Sequence, residues 1–149
     1  MSFFLMLELE IENGKRRESL CETIVDWFSK KYFLDYDLEI IIDHKDLTED
    51  GVYGYCDISP YEEYGENPRS FLIELEKTLE INDYIGTLLH ELYHVYQFCQ
   101  GWLKIRHSKR YWNGMIIDGL DYVNQPHEIE AEEQESILYQ EFVTFLDGG

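Results

Sequence analysis

The chain has 149 residues, with 31 Asp and Glu against 12 Lys and Arg and a net charge of −19. Hydrophobic residues at 44% and aromatics at 15% exclude a disordered acidic chain, and the length suits one compact domain, 1–149, with a sizeable core. The acidity disfavours nucleic acid as a partner, because phosphate binding needs clustered Lys and Arg.

In chain order, residues 3–11 predict a strand. Leu7, Leu9 and Ile11 alternate with Glu8, Glu10 and Glu12, and the apolar opening lacks the basic start of a signal peptide. Asn13-Gly14 marks a turn, and Lys15-Arg16-Arg17 is a short basic run, read as a solvated turn. Leu20, Ile24, Trp27, Phe28 and Tyr32 recur at helical spacing, which predicts an amphipathic helix over 17–33. Strands follow at 38–42, 52–59 and 70–75, with loop composition between Pro60 and Pro68. Asn82 is placed to cap the next helix, with Asp83 in its first turn and Gly101 ending it. The second basic run, 104–110, also reads as a solvated turn. Pro126 suits a first helical turn, and 128–146 reads as the last helix. No window approaches the length of a membrane span, and no membrane partner is expected. Cys21, Cys56 and Cys99 are odd in number and far apart, as for free thiols in a reducing compartment, so the cytoplasm is the expected location. No Cys-x-x-Cys pair exists to build a thiolate zinc site.

The chemistry concentrates in the helix after Asn82. His90 and His94 are four apart, so both imidazoles lie on one helical face and can reach one metal ion. Glu91, beside the first histidine, is placed to take a proton from water at that metal, the H-E-x-x-H arrangement of zinc hydrolases. Ile85, Leu88, Leu89, Leu92, Val95, Tyr96 and Cys99 fall on the opposite, core-facing side. The bland alternative is two solvated surface histidines; the pairing with Glu91 argues against it.

A catalytic zinc site needs a third protein ligand. The longer H-E-x-x-H-x-x-G-x-x-H pattern fails, because positions 97 and 100 are both Gln. On the last helix Ala131, Leu138, Phe142 and Phe145 define an inward stripe, with Glu128, Glu132 and Glu135 along its edge and Glu130 and Glu133 turned further away. An inward-edge carboxylate is the better ligand, which selects Glu128, with Glu132 placed to accept a hydrogen bond from a ligand histidine. Many of these acids would also serve simply as helix N-terminal charges. His107 is the competing third ligand, in a polar basic segment.

The segments His90 to Gln97, Gly101, Tyr111-Trp112-Asn113-Gly114 and Pro126-His127-Glu128-Ile129-Glu130-Ala131 resemble the compact zincin-type metallopeptidases of phage and bacterial genomes, a minimal gluzincin or SprT-like pattern. The resemblance covers about residues 50–135 and departs at His127, where a bulky aromatic is frequent. It implies Zn2+ held by His90, His94 and Glu128, although SprT-like proteases use a downstream histidine. It also implies an α+β fold: a small twisted, mostly antiparallel sheet packed on the H-E-x-x-H helix, with the C-terminal helix carrying the third ligand. An edge strand along the cleft is part of that layout, with 70–75 as its candidate.

The resulting expectation is a zinc metallopeptidase acting on a peptide or protein substrate, with Glu91 as general base. Tyr111, His107 and His127 are candidate oxyanion donors, none preferred. The rival class is a non-catalytic zincin-fold protein acting through its acidic surface. A DNA-linked protease is disfavoured by the charge.

Overall fold

The computed structural model describes residues 7–60 and 67–148; the start of the first expected strand and residues 61–66 of the expected loop lie outside them. The elements are β1 (Leu7–Glu12), α1 (Glu18–Tyr32), β2 (Leu38–Lys45), β3 (Gly54–Ile58), β4 (Ser70–Glu76), α2 (Ile81–Cys99), β5 (Leu103–Arg106), β6 (Lys109–Trp112), β7 (Met115–Ile116) and α3 (Pro126–Leu146). The fold is α+β: helices packed with a mixed four-stranded sheet, beside a small antiparallel one.

The main sheet has the order β1-β2-β4-β3. Antiparallel pairing, expected to dominate, holds for β3 against β4 and throughout the β5-β6-β7 sheet, whereas β1–β2 and β2–β4 are parallel. α1 supplies the crossover that parallel β1 and β2 require. β2 continues three residues past its expected end, because Asp43, His44 and Lys45 pair with Glu74, Leu75 and Glu76.

The edge assignment is corrected. β4, the segment expected to border the cleft as an edge, lies between β2 and β3, with Phe71, Ile73 and Leu75 fully buried. Among the described residues the outer strands are β1 and β3, and β3 is the one that borders the cleft, with exposed Tyr55 and Asp57 alternating with partly buried Gly54, Cys56 and Ile58. A half-buried alternation suits an edge, and the apolar run of β4 suits an interior strand.

α2 begins two residues earlier than expected, with Glu80 rather than Asn82 at the cap position. Tyr84 N–H bonds to the Glu80 carbonyl, and Asn82 lies inside the helix, where its side chain accepts from the Tyr139 hydroxyl instead of capping. At the other end Gly101 takes φ +78°, and its N–H bonds back to Phe98, as a helix-terminating glycine should. Leu88, Leu89 and Leu92 are fully buried in the core, worth about 1.5–3 kcal/mol each. The opposite face is buried too, because α3 covers it: Ala131, Leu138 and Phe142 are inaccessible, and Trp27 of α1 meets Phe142 edge-on at 5.4 Å. Phe145, expected on the inward stripe, is 48% exposed near the helix end. Among the described residues no helix is long and apolar enough to cross a membrane.

Candidate metal centre

α2 and α3 run antiparallel. As α2 proceeds from Asn82 through His90 and Tyr93 to Gln97, its hydrogen-bond partners on α3 run back from Tyr139 through Glu135 and Glu130 to the His127 carbonyl. This register brings the first turn of α3 to the second half of α2. Pro126 at the helix start fixes the entry, its missing N–H costing nothing there.

The result is a convergence on one atom. His90 Nε2 and His94 Nε2 lie 2.9 and 2.8 Å from the same oxygen, Glu128 Oε1. Both histidines are buried, so the solvated-surface alternative is excluded. The ligand atoms of His90, His94 and Glu128 lie within 4.8 Å of one another and could hold a metal ion.

Each imidazole is also gripped from behind. Glu135 Oε1 faces His90 Nδ1 at 2.9 Å, and Gln97 Oε1 faces His94 Nδ1 at 2.7 Å. The Gln97 orientation follows from its amide N–H donating to the His127 carbonyl at 3.0 Å. Both acceptors therefore hold the proton on Nδ1 and turn Nε2 inward, the tautomer a metal-ligating histidine needs. The partner expected for a histidine was Glu132. It lies on the cleft wall, exposed, and the contact is made by Glu135, one turn further on. The antiparallel register puts position 135 opposite His90, and Gly86 leaves room: a Cβ there would stand 3.0 Å from Glu135 Oε2.

Electrostatics follow from the geometry. Burial alone would lower His90, but Glu128 and Glu135 outweigh it and push it up to about 10. Burial would raise Glu128; the two imidazoles bonded to it hold it far below the usual carboxylate range instead. Glu91 is buried and faces the cleft; desolvation drives it up to about 7 against the lowering effect of His94 and His90. β3 passes close beneath, since a Cβ on Gly54 would come within 2.8 Å of Thr87 Cγ2 and 3.3 Å of Glu91 Cγ.

These groups line a cleft of about 950 Å³, bounded by β3, α2, α3 and the β5–β6 hairpin. His107 is not among them. It sits exposed at φ +51° with Ser108 at φ +65°, the paired positive dihedrals of a two-residue hairpin turn between β5 and β6. Tyr111 lies in β6 and does not line the cleft, whereas His127 does, its ring 5.3 Å from that of His94. Burial, then His94, pull His127 down to about 4, and its Nδ1 has no hydrogen-bond partner among the described residues. Tyr122, in a short turn before α3, also faces the cleft near Glu128, and no pattern in the sequence singles it out. Glu135 was within reach of sequence reasoning: it shares the edge stripe of Glu128, and Gly86 is a small residue one helical turn before His90.

The chain matches no protein-family model, no curated protein and no solved structure. The site therefore stands on its geometry alone.

Proposed function

We propose that this protein is a zinc-dependent metallopeptidase of the zincin type, with His90, His94 and Glu128 as metal ligands and Glu91 as general base. The observation that carries this reading is the convergence of two imidazole Nε2 atoms on one carboxylate oxygen, with both Nδ1 protons taken by Glu135 and Gln97. Two imidazoles and one carboxylate are a donor set suited to zinc with a position left open. A bound zinc ion supplies Lewis acidity and makes water acidic enough to lose a proton near neutral pH.

The chain's own groups do the rest. Glu91, raised to about 7 by burial, accepts the proton of the attacking water and returns it to the leaving amine. Glu135 and Gln97 keep the ligand imidazoles in register. β3, which borders the cleft and pairs on one side only among the described residues, offers N–H and C=O groups to an extended peptide.

Glu91→Gln is the test. It should keep zinc at wild-type occupancy and lose peptidase activity. A wild-type protein that cleaves nothing across a broad peptide and protein panel would remove the enzymatic reading and leave a metal-binding protein acting through its acidic surface.

A further inference from the structure

The basic run 104–110 does more than make a solvated turn. It builds β5, the His107-Ser108 turn and the start of β6, and this hairpin carries Arg110 to the cleft. Arg110 is the one Lys or Arg side chain lining the cleft among the described residues. Its backbone is fixed on both sides: its N–H donates to Asp118 Oδ1 at 3.1 Å, and its carbonyl accepts from Ile117 at 3.0 Å. The guanidinium is held far more loosely. Its ion-pair partner, Asp57 Oδ1, lies at 3.7 Å, beyond hydrogen-bond reach, and both side chains are about half exposed. Such a pair contributes little and yields readily to a better acceptor.

The position matters as much as the availability. Arg110 lines the same cleft as His94 and His127, and its contact with Asp57 sets its guanidinium beside the β3 strand that borders that cleft. The other charged walls are carboxylates: Asp57, Glu132 and Glu135. Away from the His90, His94 and Glu128 centre, an anionic group entering the cleft meets carboxylates, with Arg110 as the one Lys or Arg to receive it among the described residues.

We infer that Arg110 anchors a substrate carboxylate, so that the preferred substrates are peptides carrying a carboxylate within reach of the scissile bond. This rests on the peptidase reading above and names the substrate class of the same site. A guanidinium fork binds a carboxylate through two parallel N–H···O bonds, which fixes direction as well as position. A peptide could lie along β3 in either sense, and the anchor selects one. The net charge of −19 repels peptides that are acidic throughout, so the substrate is neutral or basic overall with a local carboxylate. That group is either the C-terminal carboxylate or an Asp or Glu side chain.

The experiment measures binding apart from cleavage. Zinc-loaded Glu91→Gln protein is titrated, by fluorescence anisotropy, into labelled neutral hexapeptide pools. One pool ends in a free carboxylate, one is amidated, and two amidated pools carry a single central glutamate or glutamine. At least one carboxylate pool should bind about tenfold or more tighter than its neutral counterpart. The free-end pair and the glutamate–glutamine pair identify the source of the carboxylate. Adding Arg110→Gln should abolish the preference, Arg110→Lys should keep part of it, and Arg110→Glu should reverse it. Equal binding of carboxylate and neutral pools, or a preference that survives Arg110→Gln, overturns the inference. If wild-type protein cleaves these pools without any preference, the anchor fails and the peptidase reading stands. If no pool is bound or cleaved, both fail.

Discussion

The protein buries two kinds of histidine against α2, and they are satisfied in opposite ways. His44, on β2, uses each nitrogen once: Nδ1 meets the Glu12 carbonyl at 2.9 Å and Nε2 the Tyr84 hydroxyl at 2.8 Å. Because a carbonyl only accepts, Nδ1 carries the proton and the tyrosine donates to Nε2. The ring stacks on Tyr84 and fills the space over Gly14, where a Cβ would clash with it. Nothing is left over. His90 and His94 instead turn both Nε2 atoms onto a single oxygen of Glu128. One oxygen shared by two imidazoles is a poor way to satisfy buried polar groups and a good way to surround a cation. What distinguishes the candidate metal site is therefore convergence on one point and not burial.

The largest expected contrast is between His44→Ala and His90→Ala. Saturating zinc should stabilise the wild type by about 4 kcal/mol at a thousandfold excess over Kd, read as the difference between urea unfolding curves with and without metal. His44→Ala should lower stability in both curves and keep that difference, since it removes a buried hydrogen bond of the Tyr84 hydroxyl and opens a cavity without touching the cleft. His90→Ala should erase the difference. A zinc effect lost in His44→Ala would mean that the two regions are not independent.

Next comes the outer support. Glu135→Ala should weaken zinc binding by about 10–100-fold, the usual cost of losing a group that orients a ligand histidine, measured by competition with a chelator. Glu132→Ala should leave affinity close to wild type, because Glu132 makes no such bond.

The pH dependence sharpens the comparison further. In the metal-free protein His90 is raised to about 10, so zinc must displace a proton and its affinity should climb as pH rises from 6 toward 9. For metal-free stability the signs are opposite at the two partners. The raised His90 contributes fully below its unfolded value of 6.5 and loses that contribution as pH rises through about 10. The depressed Glu128 contributes above its unfolded value of 4.5 and loses that contribution as pH falls through its lower folded value. The pair should therefore stabilise the metal-free fold most between 4.5 and 6.5, a feature absent from His90→Ala. An unchanged pH–stability curve in that variant would contradict the assigned bonds.

The smallest effect is expected at Gly86→Ala, where the added methyl crowds Glu135 Oε2 at 3.0 Å. Zinc affinity should fall by less than in Glu135→Ala, because a surface carboxylate can shift.

Much of this was legible from local pattern. Helical periodicity located α1, α2 and α3 to within a few residues, and the His90-Glu91-x-x-His94 spacing with the inward edge at Glu128 anticipated which groups meet. The misses share a cause: they depend on how elements dock. Glu132 and Glu135 lie on the same stripe of one helix, and only the antiparallel register against α2 decides which meets His90. The segment 70–75 directly precedes α2 in sequence, yet strand order makes β3 the outer strand that borders the cleft. Gln97, used in the sequence to exclude a third histidine, orients His94 in the fold, a role visible only once His127 comes across from α3. Tyr122 carries no periodic signal because it sits in an irregular turn.

The most direct test of the central claim is an equilibrium zinc titration of wild-type, His44→Ala and His94→Ala protein, followed by metal analysis after dialysis. The account predicts one tightly held zinc ion per chain in the wild type and in His44→Ala, and none in His94→Ala. Full zinc occupancy in His94→Ala would contradict it.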